Sequence, residues 1–161
     1  PVLFFDHNLS YNTVRGEAPQ GEYLVPIGRA AVKRYGTELS LISYGLSVQH
    51  CLEAAETLST EGISCEVIDL RTVSPLDSVA VLQSVNKTGR ACIVHEDNLT
   101  GGIGAEVAAI ISKDGFEYLD APIHRVAAPD VPSFPYNPIL EDALLPGPAD
   151  IVKAAHELFA Y

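Results

Sequence analysis

The sequence contains no methionine and no tryptophan, and its three cysteines (Cys51, Cys65, Cys92) form no C-x-x-C pair. Odd in number and widely spaced, they indicate neither a disulfide framework nor a zinc knuckle, and they suit a reducing compartment. Basic residues are scarce: 10 Lys and Arg stand against 21 Asp and Glu, a formal net charge of −11. That balance argues against nucleic acid as a partner, because phosphates need clustered Lys and Arg. It permits a basic protein partner. No apolar run nears the roughly 18 residues of a membrane span, so no membrane contact is expected, nor a signal peptide. Methionine is missing even at position 1, so we expect a fragment of a longer protein. What remains is ample for one globular domain: 161 residues, 47% of them hydrophobic, enough for a core without staples.

The apolar run Val2-Leu3-Phe4-Phe5 reads as a strand buried on both faces. Residues 6–25 follow without a clear period, broken by Gly16, Pro19 and Gly21. So long a structureless connection is uncommon within one domain. Residues 1–27 are therefore expected to be the last strand of a preceding domain plus a linker, and residues 28–161 a separate domain. We expect Val2–Phe5 to stay outside this domain's own sheet. Ala30–Tyr35 and Leu39–Tyr44 are strand-like and joined by Gly36-Thr37-Glu38, which predicts a hairpin. Val48, Cys51, Leu52, Ala55 and Leu58 predict an amphipathic helix capped by Ser47. A strand at Glu66–Leu70 precedes a helix opening near Pro75, with Leu76, Val79, Leu82 and Val85 facing inward. Ala91–Val94 is a third apolar strand, and Ile103, Val107, Ile110 and Ile111 mark the next helix. Ile123–Val126 is the last strand, and a closing helix carries Ile151, Val152, Ala155, Leu158 and Phe159. Strands alternating with helices predict an α/β fold in three layers, α/β/α. About five strands are expected, mostly parallel with one antiparallel edge strand.

Functional groups of such sheets gather beyond the carboxyl ends of the strands. There, Thr100-Gly101-Gly102-Ile103-Gly104 invites a nucleotide reading but fails on spacing, since Val107 stands where a third glycine is required. The glycines read instead as letting a helix start abruptly and pack close to the sheet, with a weak anion site as the alternative. Gly45-Leu46-Ser47-Val48-Gln49 resembles a nucleophile elbow, but Gln49 replaces its final glycine, and Ser47 reads as a cap. His95-Glu96-Asp97 could serve acid–base chemistry or could pin loops and an interface by hydrogen bonds; the second reading is favoured. His7, His50, His124 and His156 show no ligand spacing, so no metal site is predicted. Asp69, Arg71 and Asp77 read as a local ion pair and a helix cap. No catalytic constellation is complete.

These segments resemble one family. Val67-Ile68-Asp69-Leu70-Arg71-Thr72 with Pro75-Leu76-Asp77 resembles the V-I-D-L-R-T-x-x-P-x-D signature of the transketolase C-terminal domain, in the form found in β subunits of thiamine-dependent 2-oxoacid dehydrogenases. Val94-His95-Glu96-Asp97 followed by Thr100–Glu106 is similar to its V-H-E-x-x-x-x-G-G-x-G-A-E run, in a version closest to the branched-chain enzymes. Ala121–Val126 with Asp130-Val131-Pro132 is similar to its A-P-x-x-R-V…D-x-P stretch. Val2–Phe5 resembles the strand closing the family's pyrimidine-binding domain.

The resemblance implies an assembly and docking domain within an oxidoreductase that decarboxylates branched-chain 2-oxoacids and passes the acyl group to lipoyl. Thiamine diphosphate and magnesium would serve the whole enzyme and be held by other domains; no catalytic, cofactor or metal residue is assigned here, and no turnover is expected of this chain alone. Implied partners are the α subunit or α half, a second β copy, and the basic subunit-binding domain of the acyltransferase core. Glu117, Asp120 and Tyr161 are the docking candidates, and His95, Glu96 and Arg71 the interface candidates at the strand ends. The implied location is the cytoplasm of a bacterium, or the mitochondrial matrix in a eukaryote. The alternatives are the same role in a pyruvate or acetoin dehydrogenase or another transketolase-like enzyme, and a free-standing module binding a small anion.

Overall fold

The computed structural model describes residues 1–161. A short helix, α1 (Ser10–Thr13), precedes β1 (Ala31–Arg34), β2 (Leu39–Ser43), α2 (Ser47–Thr60) and β3 (Cys65–Asp69). Then come α3 (Ser78–Thr88), β4 (Ala91–Asn98), α4 (Ile103–Asp114), a 3-10 turn at Phe116–Tyr118 and β5 (His124–Ala128). The chain closes with α5 (Pro138–Asp142) and α6 (Pro148–Phe159). The sheet has five strands in the order β1-β3-β2-β4-β5, with β1 antiparallel to β3 and every other pairing parallel. The alternation of β2 sorts the core. Leu39 and Leu41 face α2 and α6 together with Cys51, Leu58, Ile151 and Leu158. Ile42 faces α3 and α4 together with Val81, Val85, Val107 and Ile111. Helices therefore cover both faces, in three layers.

The hairpin expected between the first two strands does not form. All five residues of β2 are buried, which places it in the middle of the sheet with parallel neighbours on both sides. β1 exposes Val32 and Lys33 and takes the edge beyond β3 instead. Gly36-Thr37-Glu38 thus carries the chain across the start of β3. The amide N–H groups of Thr37, Glu38 and Leu39 converge on Ser64 O at 3.2, 2.9 and 3.4 Å. Gly36 lies so close to β3 that a Cβ there would stand 2.1 Å from Cys65 C.

Two helix details also differ from expectation. Helix α3 starts at Ser78, not near Pro75, because Asp77 is its N-cap: Asp77 Oδ1 accepts from Ala80 N at 3.1 Å. Its inward face is Val81, Ser84, Val85 and Thr88, while Val79 is exposed. The two hydroxyls turn inward because buried Ser40 of β2 offers them partners at 2.6 and 2.7 Å. Ser47 lies inside the first turn of α2, buried, and makes no capping hydrogen bond. Val2–Phe5 joins no strand of the sheet, and its side chains are 72–85% exposed. No helix is long and apolar enough to cross a membrane.

Candidate functional site

At the carboxyl end of β4, His95 is fully buried. Its Nδ1–H donates to Asp97 O at 3.1 Å; a carbonyl can only accept, so the proton sits on Nδ1. Nε2 is left a bare acceptor, buried and without a hydrogen-bond partner. The ring stacks on Tyr44 with centroids 6.3 Å apart, and the glycines of the β4–α4 junction close over it. A Cβ on Gly104 would lie 2.2 Å from Nε2, and one on Gly102 would lie 2.8 Å from Cε1. The Gly-rich run is therefore shaped to accept an imidazole of this chain.

The neighbouring groups are likewise engaged within the molecule. Glu96 Oε2 lies 3.0 Å from His7 Nε2, tying the segment before α1 to the end of β4. Arg71 holds a left-handed backbone (φ 56°); its N–H donates to Asp69 Oδ1 at 3.1 Å, and its Nε lies 3.9 Å from Asp69 Oδ2. Thr100 donates from both its amide and its hydroxyl to the Asp130 carboxylate, at 3.2 and 2.6 Å, fastening the loops after β4 and β5 together. Residues overlooked in the sequence complete this end. His50, Leu46, Phe134 and Glu141 join His7 and Glu96 in a cleft of about 540 Å³. The cleft lies at the ends of β2 and β4, whose following helices cover opposite faces of the sheet, the usual ligand position in such folds. That topology, absent from spacing rules, was the signal for His7 and His50.

Thiamine diphosphate and magnesium do not fit the residues present. The glycine turn that would cradle a diphosphate is filled by His95 and by Asn98 O, which would stand 2.4 Å from a Gly102 Cβ. No cluster of three or more His, Cys, Asp or Glu side chains is placed to hold a metal ion. Cys51, Cys65 and Cys92 are free and buried. Burial pushes the Cys51 and Cys65 thiols up to about 12 and Cys92 higher still, so none supplies a thiolate near neutral pH.

Burial also holds His95 below its ordinary 6.5. The unfolded chain therefore binds a proton that the folded one resists, and stability falls as pH drops below about 6.5 through the lowered value. Asp130 is held below its ordinary 3.8 by the Thr100 hydrogen bonds, so its contribution is complete above that value and lost as pH falls below it. Melting temperature should fall in two limbs on acidification. His95→Gln should flatten the limb near pH 6 and leave the limb below pH 4; an unchanged upper limb would contradict the buried neutral imidazole.

The docking candidates stand at the opposite end of the sheet. Glu117 lies exposed in the 3-10 turn beside Phe116, itself 74% exposed. Asp120 N–H donates to Gly89 O at 2.7 Å, just before β4 begins. Tyr161 is 79% exposed two residues beyond α6. The structure thus divides the sequence-predicted residues into His95, Glu96 and Arg71 at one end of the sheet and Glu117, Asp120 and Tyr161 at the other.

The fold is a doubly wound α/β domain, with its strand-end glycines filled from within and exposed carboxylates and aromatics at the other end. The chain belongs to the transketolase C-terminal domain family, whose model matches residues 28–151. It is 48% identical over 158 residues to the 2-oxoisovalerate dehydrogenase subunit beta of Bacillus subtilis, covering 98% of this chain and 48% of that protein. It is 45% identical over 161 residues to the pyruvate dehydrogenase E1 component subunit beta of the same organism, covering 100% of this chain and 49% of that protein. Among solved structures it is similar to a split-gene transketolase in an inactive beta4 tetramer, with TM-score 0.72, 25% identity, and coverage of 84% of this chain and 44% of that one. The chain spans about half the length of the curated relatives it matches.

Proposed function

We propose that this chain is the C-terminal assembly and docking domain of the decarboxylating component of a 2-oxoacid dehydrogenase, of the branched-chain type. The whole enzyme would oxidatively decarboxylate a branched-chain 2-oxoacid with thiamine diphosphate and magnesium held by other domains, and would pass the acyl group to lipoyl in the cytoplasm. The likeness at 48% identity to a 2-oxoisovalerate dehydrogenase beta subunit supports that substrate class. Residues 1–27 lie before the stretch matching the family, and exposed Val2–Phe5 suits a strand whose sheet belongs to a preceding domain. An α subunit and a second β copy are the proposed assembly partners.

The carrying observation is the presence of two exposed aromatics, Phe116 and Tyr161, and two exposed carboxylates, Glu117 and Asp120, at one end of the sheet on a chain of net charge −11. Such a rim suits a small basic domain: the rings provide desolvated anchors and the carboxylates steer the encounter. The partner proposed is the subunit-binding domain of the acyltransferase core. Calorimetric titration of the chain with that domain should show saturable binding that weakens about tenfold between about 0.05 and about 0.5 M salt. Absence of binding, or turnover of a 2-oxoacid by this chain alone with thiamine diphosphate and magnesium, would overturn the proposal.

A further inference from the structure

Arg90 sits at the junction of three elements, immediately before β4. Its guanidinium carbon lies 4.6 Å from the ring centroid of Phe159, the last residue of α6. Its Nη1 lies 3.9 Å from Asp120 Oδ2. Its Nε is buried with no hydrogen-bond partner, and its carbonyl accepts from Ser40 N at 2.9 Å and Thr88 Oγ1 at 3.1 Å. The backbone is thus held in the sheet while the side chain reaches outward to two segments about 40 residues apart in sequence. Gly89 makes room for this: a Cβ there would stand 2.1 Å from Asp120 Oδ2, so the carboxylate lies over the glycine.

We infer that Arg90 is a positioning residue, clamping the 116–120 turn to the carboxyl-terminal end of α6 so that Glu117, Asp120 and Tyr161 present one surface. This rests on the docking role proposed above. A solvated arginine on an acidic rim would oppose a basic partner, yet this one is engaged by an exposed carboxylate and a half-buried ring of its own chain. The attraction to Phe159 works through the ring face and the attraction to Asp120 through charge, so the two contacts depend on the same guanidinium. Loosening it frees the turn and the chain terminus from each other, and a partner that needs both must then order them on binding.

The sign of one substitution separates this clamp from a plain surface charge. Arg90→Met keeps the length and apolar stem but removes the cation, making the rim more negative. If Arg90 acted only through its charge, the basic subunit-binding domain would bind faster and tighter. If it positions, binding weakens about tenfold despite the added negative charge. Binding is measured by calorimetry well below the melting temperature, with amide exchange of residues 116–120 followed in the free chain. Expected results are weaker binding, about tenfold faster exchange at 116–120, and partial recovery of both in Arg90→Lys. Phe159→Leu, which keeps apolar volume without a ring face, should act in the same direction more weakly, and serves if Arg90→Met folds poorly. Unchanged or tighter binding in these variants, with Glu117→Arg still weakening it, would overturn the clamp while docking stands. If Glu117→Arg also has no effect, the docking role falls and the clamp falls with it.

Discussion

Alanine at Gly104 should destabilise the fold by about 3 kcal/mol while His95 is present, and by far less once His95 is removed. The added Cβ would meet Nε2 at 2.2 Å, Cδ2 at 2.5 Å and Ile93 Cγ2 at 3.3 Å. Imidazole rings often give way to such an intrusion by rotating. This one is fully buried, tied through Nδ1 to Asp97 O and stacked on Tyr44, so rotation would sacrifice those contacts. Shifting α4 outward would instead open the packing of Val107 and Ile111. His95→Ala alone should destabilise by about 2 to 3 kcal/mol by leaving a cavity. In the double variant the new methyl group enters that cavity, and alanine's better helix propensity adds to its favour. Urea unfolding of the four proteins should give a double variant more stable than the sum of the singles by at least about 1 kcal/mol. Strict additivity would mean that glycine and histidine do not share the space described.

Gly36→Ala should be at least as severe, about 3 kcal/mol or more, and for a reason of backbone rather than side chain. The Cβ would stand 2.1 Å from Cys65 C, 2.3 Å from Glu66 N and 2.4 Å from Cys65 O. Those atoms belong to β3, which is paired with β1 on one side and β2 on the other, so it cannot retreat without breaking a ladder. Gly62 is the control. Its φ of 88° disfavours a side chain, but nothing lies within 4 Å, so alanine there should cost only about 1 kcal/mol. Denaturant midpoints of the two variants should therefore differ clearly. The comparison also tests the topology: in a simple hairpin Gly36 would sit in an open turn, and its substitution would not be the more costly of the two.

Most of the architecture was legible because its signals are local. β4 opens on the apolar run Ala91–Val94 since both faces are covered there, and α2 repeats its apolar residues every three or four positions. The neighbour of β1 was not legible, because strand pairing is decided by burial across the whole sheet, whereas a three-residue link suggests only proximity. The face of α3 was misjudged for a related reason. Ser84 and Thr88 turn inward to reach Ser40, a partner more than 40 residues away that no helical periodicity reveals. At the candidate site, the close packing of the Gly-rich turn was readable from its failed spacing, but its contact with His95 was not. Glu117, Asp120 and Tyr161 came from family resemblance alone, and Arg90 and Phe159 were invisible until the amino end of the sheet had been assembled.

The proposed docking role places partner recognition at the Glu117–Asp120–Tyr161 end of the sheet and not in the strand-end cleft of His7, His50 and Glu96. Its most direct test is one binding comparison against the basic subunit-binding domain, using the Glu117→Lys, Asp120→Lys double variant and the Glu96→Gln variant. At least about a hundredfold loss is expected for the charge reversal, since attractions to the partner become repulsions and a lysine at position 120 also repels Arg90, and less than about a twofold change for Glu96→Gln. Undiminished binding after the reversal, or a loss confined to Glu96→Gln, would contradict it.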